Sequence, residues 1–140
     1  MAEFFVTLSS YEMAAQIAAL LNMQNKLYKS HAASTIMNSA TNYFVEIEGN
    51  RVVGCTGLLK EFPTLSKSYH TSVHPTHQSK GLGTKLLATA IANCETEYIY
   101  GTIREDNPAS IRLVSKLGWK FINKHWNRDH FVVTMAGRRT

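Results

Sequence analysis

The segment at residues 78–84, with the sequence Gln-Ser-Lys-Gly-Leu-Gly-Thr, carries the residue types of a phosphate-binding turn. It follows a strand-like run at residues 68–74 and opens an apolar-periodic run at residues 82–94. A helix that begins here leaves the backbone N–H groups of its first turn without intrahelical partners, and its dipole favours an anion at that end. The two glycines let the backbone approach the anion without a Cβ, and Lys80 adds a positive charge. We therefore expect this turn to bind a phosphate group.

Two better-known phosphate motifs do not fit the spacing. The dinucleotide fingerprint needs Gly-x-Gly-x-x-Gly, but the place of its third glycine is taken by Leu86. A Walker loop needs Gly-Lys-Ser/Thr after a four-residue gap, whereas Gly83 is followed by Thr84 and then Lys85. The pattern that remains is Gln-x-x-Gly-x-Gly.

A second segment, at residues 107–119, has the pattern of a well-capped amphipathic helix. Asn107 is a good N-cap, Pro108 suits the first helical position, and Gly118 stands where a helix normally stops. The residues that form its apolar stripe are Ile111, Leu113, Val114 and Leu117. Alone, this pattern indicates only a helix that packs on a core.

In combination the two segments are more specific. The residues that carry the combined pattern are Val73, Pro75, Gln78, Gly81 and Gly83, followed by Asn107, Ser110, Leu113, Leu117, Gly118 and Trp119. In order and spacing they resemble the GNAT superfamily of acyl-CoA-dependent N-acetyltransferases, over roughly residues 40–135. The resemblance implies an α/β fold, an α+β mixed sheet flanked by helices, in which the fourth and fifth strands splay apart. The pantetheine arm would lie in that gap, with the pyrophosphate on residues 78–84.

The same resemblance implies the activity and the co-substrate. An acetyl group would pass from acetyl-CoA to a primary amine by direct attack in a ternary complex, and no metal is expected. The residues expected to bind acetyl-CoA are Val73, Gln78, Ser79, Lys80, Gly81, Leu82, Gly83, Thr84, Asn107 and Ser110. The acceptor itself is not identified, because small molecules, proteins and charged tRNA all serve as acceptors on this fold.

Acetyl transfer to an amine needs a polarised thioester carbonyl and a proton for the leaving thiolate. In this family a backbone N–H near the end of the fourth strand typically serves the carbonyl, which corresponds to Val73 here. Many members carry Tyr directly after the Leu of the Asn-x-x-Ser-x-x-Leu segment as the proton donor, and this chain has Val114. Tyr98 and Tyr100 are expected to pack rather than to donate, so no general acid is assigned. Because the thiol of the leaving group has an ordinary pKa, its thiolate needs little help from a proton donor.

The base that takes the amine proton is equally open. Strand alternation places Lys67, Tyr69, Thr71 and Val73 on one face of their strand, and Ser68, His70, Ser72 and His74 on the other. Tyr69 is the polar candidate near the reaction centre, as base or as substrate contact. The two histidines have a better pKa for proton transfer at neutral pH. Glu46 and Glu61 could act through a chain of waters.

The remaining elements follow from periodicity and turn residues. Strands are predicted at residues 4–8, 43–47, 52–59, 69–73, 98–103, 121–126 and 131–135. A helix capped by Ser9 or Ser10 buries Met13, Ile17, Leu20 and Leu21, and a weaker helix is predicted at residues 30–39 after a polar stretch at residues 22–29. The chain is interrupted around Pro63. We expect one domain, residues 1–140.

The composition favours a small globular enzyme. Hydrophobic residues make up 44% of the chain, and no apolar stretch or basic N-terminal leader predicts a membrane span or secretion. Cys55 and Cys94 are too few and too far apart for a disulfide framework or a zinc site. The expected location is therefore the reducing cytoplasm.

The net charge of +5 lies entirely in the last forty residues. Such a basic segment attracts polyanions, which include acyl-CoA and nucleic acid. An alternative function stays open on this ground, and on the ground of Val114: a noncatalytic module that binds acyl-CoA, RNA or a protein partner. Nucleic acid is the less favoured partner, and a homodimer through the closing hairpin is left open.

Overall fold

The computed structural model describes residues 9–24 and 30–139. The strand predicted at residues 4–8 lies outside these residues, as does most of the polar stretch at residues 22–29. The elements follow in the order α1 (Ser10–Gln24), α2 (Ala33–Met37), β1 (Asn42–Glu48), β2 (Arg51–Phe62), β3 (Leu65–Val73), a short 3-10 turn (Pro75–His77), α3 (Leu82–Ala92), β4 (Tyr98–Arg104), α4 (Pro108–Lys116), β5 (Lys120–Asn127) and β6 (His130–Arg138). The predicted fourth and fifth strands are β3 and β4.

The strands form one mixed sheet in the order β1-β2-β3-β4-β6-β5. Neighbours are antiparallel except for β3 and β4, which are parallel. One face packs on α1 and α2 through a core that includes Ile17, Leu21 and Cys55. The other face packs on α3 and α4 through a core that includes Leu87, Ile99 and Val114. The predicted α/β class, a mixed sheet between helices, is confirmed.

The helix ends follow the capping rules. Ser9 Oγ accepts the Glu12 N–H at 3.1 Å, so Ser9 rather than Ser10 caps α1. The weaker second helix is shorter than residues 30–39, because the backbone of Ala32 is extended (φ −117°, ψ 156°). Ile36 is its one buried residue, so little packing supports a longer helix.

The interruption at Pro63 is narrower than predicted. β2 runs on to Phe62 and β3 begins at Leu65, so a two-residue turn joins two long strands. Proline suits such a turn because it has no N–H to leave unpaired. The additional residues at the start of β3 matter, since they are the ones that pair with β4.

The splay between β3 and β4 is explicit in the strand register. β3 pairs with β4 only through three residues, Leu65 with Tyr98, Ser66 with Ile99 and Lys67 with Tyr100. Beyond them, β3 stays paired with β2, and β4 stays paired with β6 as far as Arg104. The two strands therefore diverge toward their carboxyl ends and leave a gap in the middle of the sheet.

A bulge in β3 breaks the predicted alternation of its side chains. Cys55 opposes Ser72 and Gly57 opposes Tyr69, so two residues of β3 stand against Thr56 alone. His70, in the bulge, has a left-handed backbone (φ 57°). Tyr69 and His70 consequently both contact the α1/α2 side, through Thr41 and Tyr43 respectively. The prediction that Tyr69 shares a face with Thr71 and Val73 is wrong, because alternation restarts after the bulge.

The closing hairpin is formed as predicted, with β5 and β6 on either side of a turn at residues 128–129. Its turn uses a left-handed residue, Arg128 (φ 60°). Among the helices of the described residues, none has the length and apolar character to cross a membrane.

Candidate active site

The turn before α3 builds the first of two adjoining cavities. The loop cavity, of about 480 Å³, is lined by Thr71, Ser72, Val73, His77, Gln78, Ser79, Gly81, Leu82, Gly83, Thr84, Asn107, Ala109, Ser110 and Leu113. Of the predicted acetyl-CoA contacts, only Lys80 is absent from this wall. Lys80 instead lies close enough to Glu48 to help lower the pKa of that carboxyl.

The start of α3 presents unengaged amides to this cavity. Gly81 caps the helix in the left-handed conformation (φ 79°), without a side-chain hydrogen bond. The first bond to enter the helix runs from the Lys85 N–H to the Gly81 carbonyl at 3.0 Å. The N–H groups of the three residues between them therefore point out of the helix end. A Cβ on Gly83 would contact Leu113 Cδ1 of α4 at 3.4 Å, so the glycine keeps the space between α3 and α4 open.

Hydrogen bonds hold the turn in place from two sides. Gln78 Nε2 donates to the Val73 carbonyl at 3.1 Å, and His74 Nδ1 accepts the Thr76 N–H at 3.2 Å. His77 Nε2 contacts Glu48 Oε2 at 2.5 Å, which ties the turn to the end of β1. This hydrogen bond to His77 is the main cause that lowers the Glu48 pKa. These contacts tie the turn to the end of β3 and to the end of β1.

The splay builds the second cavity. The splay cavity, of about 520 Å³, is lined by Lys67, Ser68, Tyr69, His70, Thr71, Leu87, Gly101, Thr102, Ile103, Arg104, Asp106, Asn107, Ser110, Leu113, Val114 and Trp119. Four residues line both cavities: Thr71, Asn107, Ser110 and Leu113. The two spaces therefore adjoin along the start of α4 and at one residue of β3.

The predicted α4 residues lie where the two cavities meet. Asn107 Oδ1 accepts the Ser110 N–H at 3.3 Å, which confirms Asn107 as the N-cap of α4. This capping interaction fixes the first turn of α4 as the wall opposite β3. Both residues border the space that the resemblance assigns to acetyl-CoA.

Backbone groups of β3 face the gap. The His74 N–H donates to the Val53 carbonyl at 2.8 Å, toward β2. Because successive residues of an extended strand point their N–H groups in opposite directions, the amides of Val73 and Thr71 face the splay. Val73 was expected here, whereas Thr71 was missed. Thr71 is two residues from Val73 in the same phase of the strand, and that spacing was the signal available in the sequence.

The place of the expected proton donor is apolar. Val114 is buried and lines the splay cavity. Neither Tyr98 nor Tyr100 lines either cavity. The Tyr100 hydroxyl donates to Glu61, and burial together with Glu61 raises the Tyr100 pKa to about 12. The Tyr98 hydroxyl accepts from Arg138 Nη2 at 3.3 Å.

Of the candidate bases, Tyr69 and His70 line the splay cavity. The Tyr69 hydroxyl is hydrogen-bonded to Thr41 Oγ1. His70 Nδ1 is 2.8 Å from the Tyr43 hydroxyl, and the His31 ring packs edge-on at 4.7 Å between centroids. Burial, then the neighbouring His31 and Lys67, lower the His70 pKa to about 4, so this imidazole is neutral and weakly basic near pH 7.

The other candidate bases are engaged elsewhere. Glu46 pairs with Lys85 at 2.9 Å, and Glu61 accepts from Tyr100. His74 caps the turn after β3. Within residues 9–24 and 30–139, no three His, Cys, Asp or Glu side chains come together as a metal site.

A mixed sheet that splays between two parallel strands, beside a helix whose first amides have no intrahelical partner, is the architecture that the resemblance implied. The family model of the acetyltransferase (GNAT) family matches residues 10–119, and the chain belongs to that family. No protein of curated function matches the chain by sequence.

Three solved structures show how well the fold agrees. The E. coli ribosomal-protein-S18-alanine N-acetyltransferase superposes with a TM-score of 0.78 at 16% identity, over 96% of this chain and 91% of its own. The Vibrio cholerae spermidine/spermine N-acetyltransferase SpeG superposes with a TM-score of 0.75 at 16% identity, over 92% of this chain and 90% of its own. The Salmonella typhimurium protein yncA, solved with its cofactor acetyl-CoA, superposes with a TM-score of 0.71 at 21% identity, over 92% of this chain and 86% of its own. Acetyl-CoA, the predicted co-substrate, is the co-substrate of the GNAT family to which the chain belongs.

Proposed function

We propose that this protein transfers an acetyl group from acetyl-CoA to a primary amine, by direct attack of the amine in a ternary complex. The observation that supports this most directly is that the two cavities adjoin, with four lining residues in common. The loop cavity offers amides at a helix end, and the splay cavity offers unpaired strand backbone. One elongated ligand with a diphosphate at one end and a thioester at the other fits both.

The loop side suits a diphosphate by its local structure. The outward N–H groups of Leu82, Gly83 and Thr84 would hold the anion, with the helix dipole in support. No side chain caps this helix end, and Gly83 carries no Cβ to fill the cavity. Ser79 and Lys80 of the same turn would complete the contact, Lys80 by its charge rather than by lining the wall.

The splay side would bind the pantetheine arm and polarise the acetyl group. N–H and C=O groups that lack a neighbouring strand can pair with the two amides of pantetheine. The N–H of Val73 is our assignment for the thioester carbonyl, and that of Thr71 is the alternative at the junction of the cavities. A fixed backbone donor of this kind stabilises developing negative charge without rearrangement.

Proton transfer would rely on few side chains. Val114 cannot protonate the thiolate, which therefore leaves unassisted or takes its proton from water. Tyr69 is the assigned base or substrate contact, because it lines the splay cavity and carries a hydroxyl group. His70 is less suited, since its lowered pKa makes it a weak base.

Release of free thiol from acetyl-CoA, measured with a panel of primary amines, tests the proposal. We expect amine-dependent thiol release that saturates with both substrates. Calorimetric titration with acetyl-CoA tests the cofactor half separately. The absence of thiol release with every amine, despite tight acetyl-CoA binding, would favour the noncatalytic alternative that Val114 keeps open. Salt-sensitive RNA binding without thiol release would favour its RNA-binding form.

A cytoplasmic location and a single domain over residues 1–140 remain proposals. The two cysteines are free and buried, which suits a reducing compartment. A homodimer is likewise a proposal, which sedimentation would test.

A further inference from the structure

The splay cavity carries one unbalanced positive charge among its lining residues, on the side formed by Lys67, Tyr69 and His70, which we call the acceptor side. The acidic and basic side chains in its wall are Lys67, His70, Arg104 and Asp106. Asp106 is the one carboxylate among these lining residues, and Arg104 holds both its oxygens, with Nε at 3.0 Å from Oδ1 and Nη2 at 3.1 Å from Oδ2. That bidentate pair is neutral as a unit.

Lys67 has no such partner. Its ammonium lies over the Tyr69 ring, 5.1 Å from the centroid, and it forms no ion pair with a carboxylate of residues 9–24 or 30–139. The His70 imidazole neither offsets nor adds to the charge of Lys67 near pH 7, because burial keeps it neutral. The ammonium of Lys67 thus lies beside the Tyr69 ring, on the acceptor side of the splay cavity.

The position of Lys67 suits recognition of an acceptor rather than of acetyl-CoA. Lys67 is at the closed end of the splay, where β3 still pairs with β4. It precedes Thr71 by four residues in β3 and lies before the bulge at His70. The loop cavity, where the diphosphate is proposed to bind, does not include Lys67.

We propose that the acceptor is an amine that also carries an anionic group, a carboxylate or a phosphate, and that Lys67 binds this group. The inference rests on the proposed function. Such a molecule would place its amine near Thr71 and its anion at the ammonium of Lys67. A di- or polyamine would instead bring a second ammonium toward Lys67 and toward a carboxylate already held by Arg104. The spermidine/spermine enzyme of Vibrio cholerae shares the fold, yet the charge of this cavity favours the opposite acceptor.

Matched amines test the proposal on the wild-type chain with acetyl-CoA. The pairs are 4-aminobutanoate against 1,4-diaminobutane and 2-aminoethyl phosphate against 1,2-diaminoethane, with n-butylamine as the neutral reference. We expect kcat/KM to be about 10- to 100-fold higher for the anionic member of each pair. A preference for the diamines would overturn the proposal.

Variants assign the effect to the lysine. Lys67→Met should remove the preference mainly through KM, so that kcat/KM of each anionic amine falls toward that of n-butylamine in the same variant, without a matching loss of acetyl-CoA affinity. Lys67→Arg should retain most of the preference for anionic amines, since the positive charge is kept. Lys120→Met, which removes an exposed lysine of β5 outside both cavities, is the matched control and should behave as wild type. An unchanged preference in Lys67→Met overturns the assignment.

A failure of the proposed function is distinguishable from a failure of this inference. If no amine releases thiol, calorimetry with 2-aminoethyl phosphate on protein saturated with coenzyme A still decides the inference. Binding that is lost in Lys67→Met supports it, and no binding, or binding equal in that variant, overturns it. If amines are acetylated without regard to their second charge, the proposed function holds and the inference fails.

Discussion

The loop cavity and the splay cavity share four lining residues, yet the rest of their walls comes from different parts of the chain. The loop cavity depends on main-chain groups that one continuous segment supplies at the start of α3. The splay cavity depends on side chains from β3, β4 and α4, which are far apart in sequence. Contacts made by backbone tolerate changes of side chain, so a family can keep its co-substrate while its acceptor changes. Backbone groups of both cavities would thus bind the common co-substrate, and the side chains of the splay cavity would be particular to this chain.

Gly83→Asp should break the loop cavity and produce the largest effect. The new Cβ would point at Leu113, and a carboxylate there would repel the diphosphate. We expect acetyl-CoA affinity, measured by calorimetry, to fall by about 100-fold or more. Gly83→Ala is the control for size alone and should lose much less. Affinity near wild type in the aspartate variant would contradict the loop assignment.

Val114→Tyr tests whether the splay cavity lacks a proton donor. A tyrosine here would bring a hydroxyl into the cavity that α4 borders. If protonation of the thiolate limits turnover, kcat should rise by about tenfold. Val114→Phe has the same bulk without the hydroxyl and should not show the rise. An unchanged kcat in a folded tyrosine variant would mean that proton delivery from this position is not limiting.

Tyr69→Phe tests the assigned base. We expect kcat to fall by about tenfold if the hydroxyl takes part, while acetyl-CoA affinity stays constant. Thr41→Val removes the hydrogen-bond partner but keeps the Tyr69 hydroxyl, so it serves as the structural control. Equal losses of activity in both variants would indicate a positioning role for the pair instead.

His70→Asn tests whether burial of the His70 imidazole makes the free energy of unfolding depend on pH. Folding lowers the His70 pKa from 6.5 to about 4, so the unfolded chain binds the proton more readily between these values. This contribution to stability is present above pH 6.5 and is lost as the pH falls toward 4, by about 1 kcal/mol after solvent screening. Asparagine tolerates the left-handed backbone, so the variant should fold and lack this part of the pH dependence. Urea unfolding of the wild-type chain and of the His70→Asn variant, at pH 7 and at pH 4.5, measures this change in the free energy of unfolding.

Gly81→Ala should have the smallest effect, on stability. Space around this position is open, so the cost arises from the left-handed backbone alone. We expect a loss of about 1 kcal/mol in the free energy of unfolding. Gly83→Ala, at a helical position, should cost nothing or stabilise the chain. Equal effects of the two substitutions would contradict the conformation assigned to the turn.

Local patterns predicted the parts of the structure that depend on local physics. Asn107 and Gly81 are both at the helix starts that the sequence indicated, because capping depends on a few adjacent residues. The loop side of the candidate site followed from the same signals. Strand boundaries were less accurate at Pro63, where pairing between β2 and β3 extends both strands beyond their apolar core.

The acceptor side could not be predicted in the same way. Alternation placed Tyr69 with Thr71, but the bulge at His70 turned Tyr69 toward Thr41. A bulge depends on the register of a neighbouring strand, which no pattern within β3 reveals. The charge of the cavity wall depends likewise on tertiary structure, because the divergence of β3 and β4 brings Lys67 and the Arg104–Asp106 pair to one cavity.

By itself, the sequence determined where the helices begin, which residues form the glycine-rich turn before α3, and which family the chain resembles. These features depend on contacts within one or two turns of chain, and such contacts are encoded in consecutive residues. Only the tertiary structure decided the width of the splay, the face on which Tyr69 lies and the charge that an acceptor would meet. Those features arise from the pairing of distant strands, where the position of each side chain depends on its partner's register.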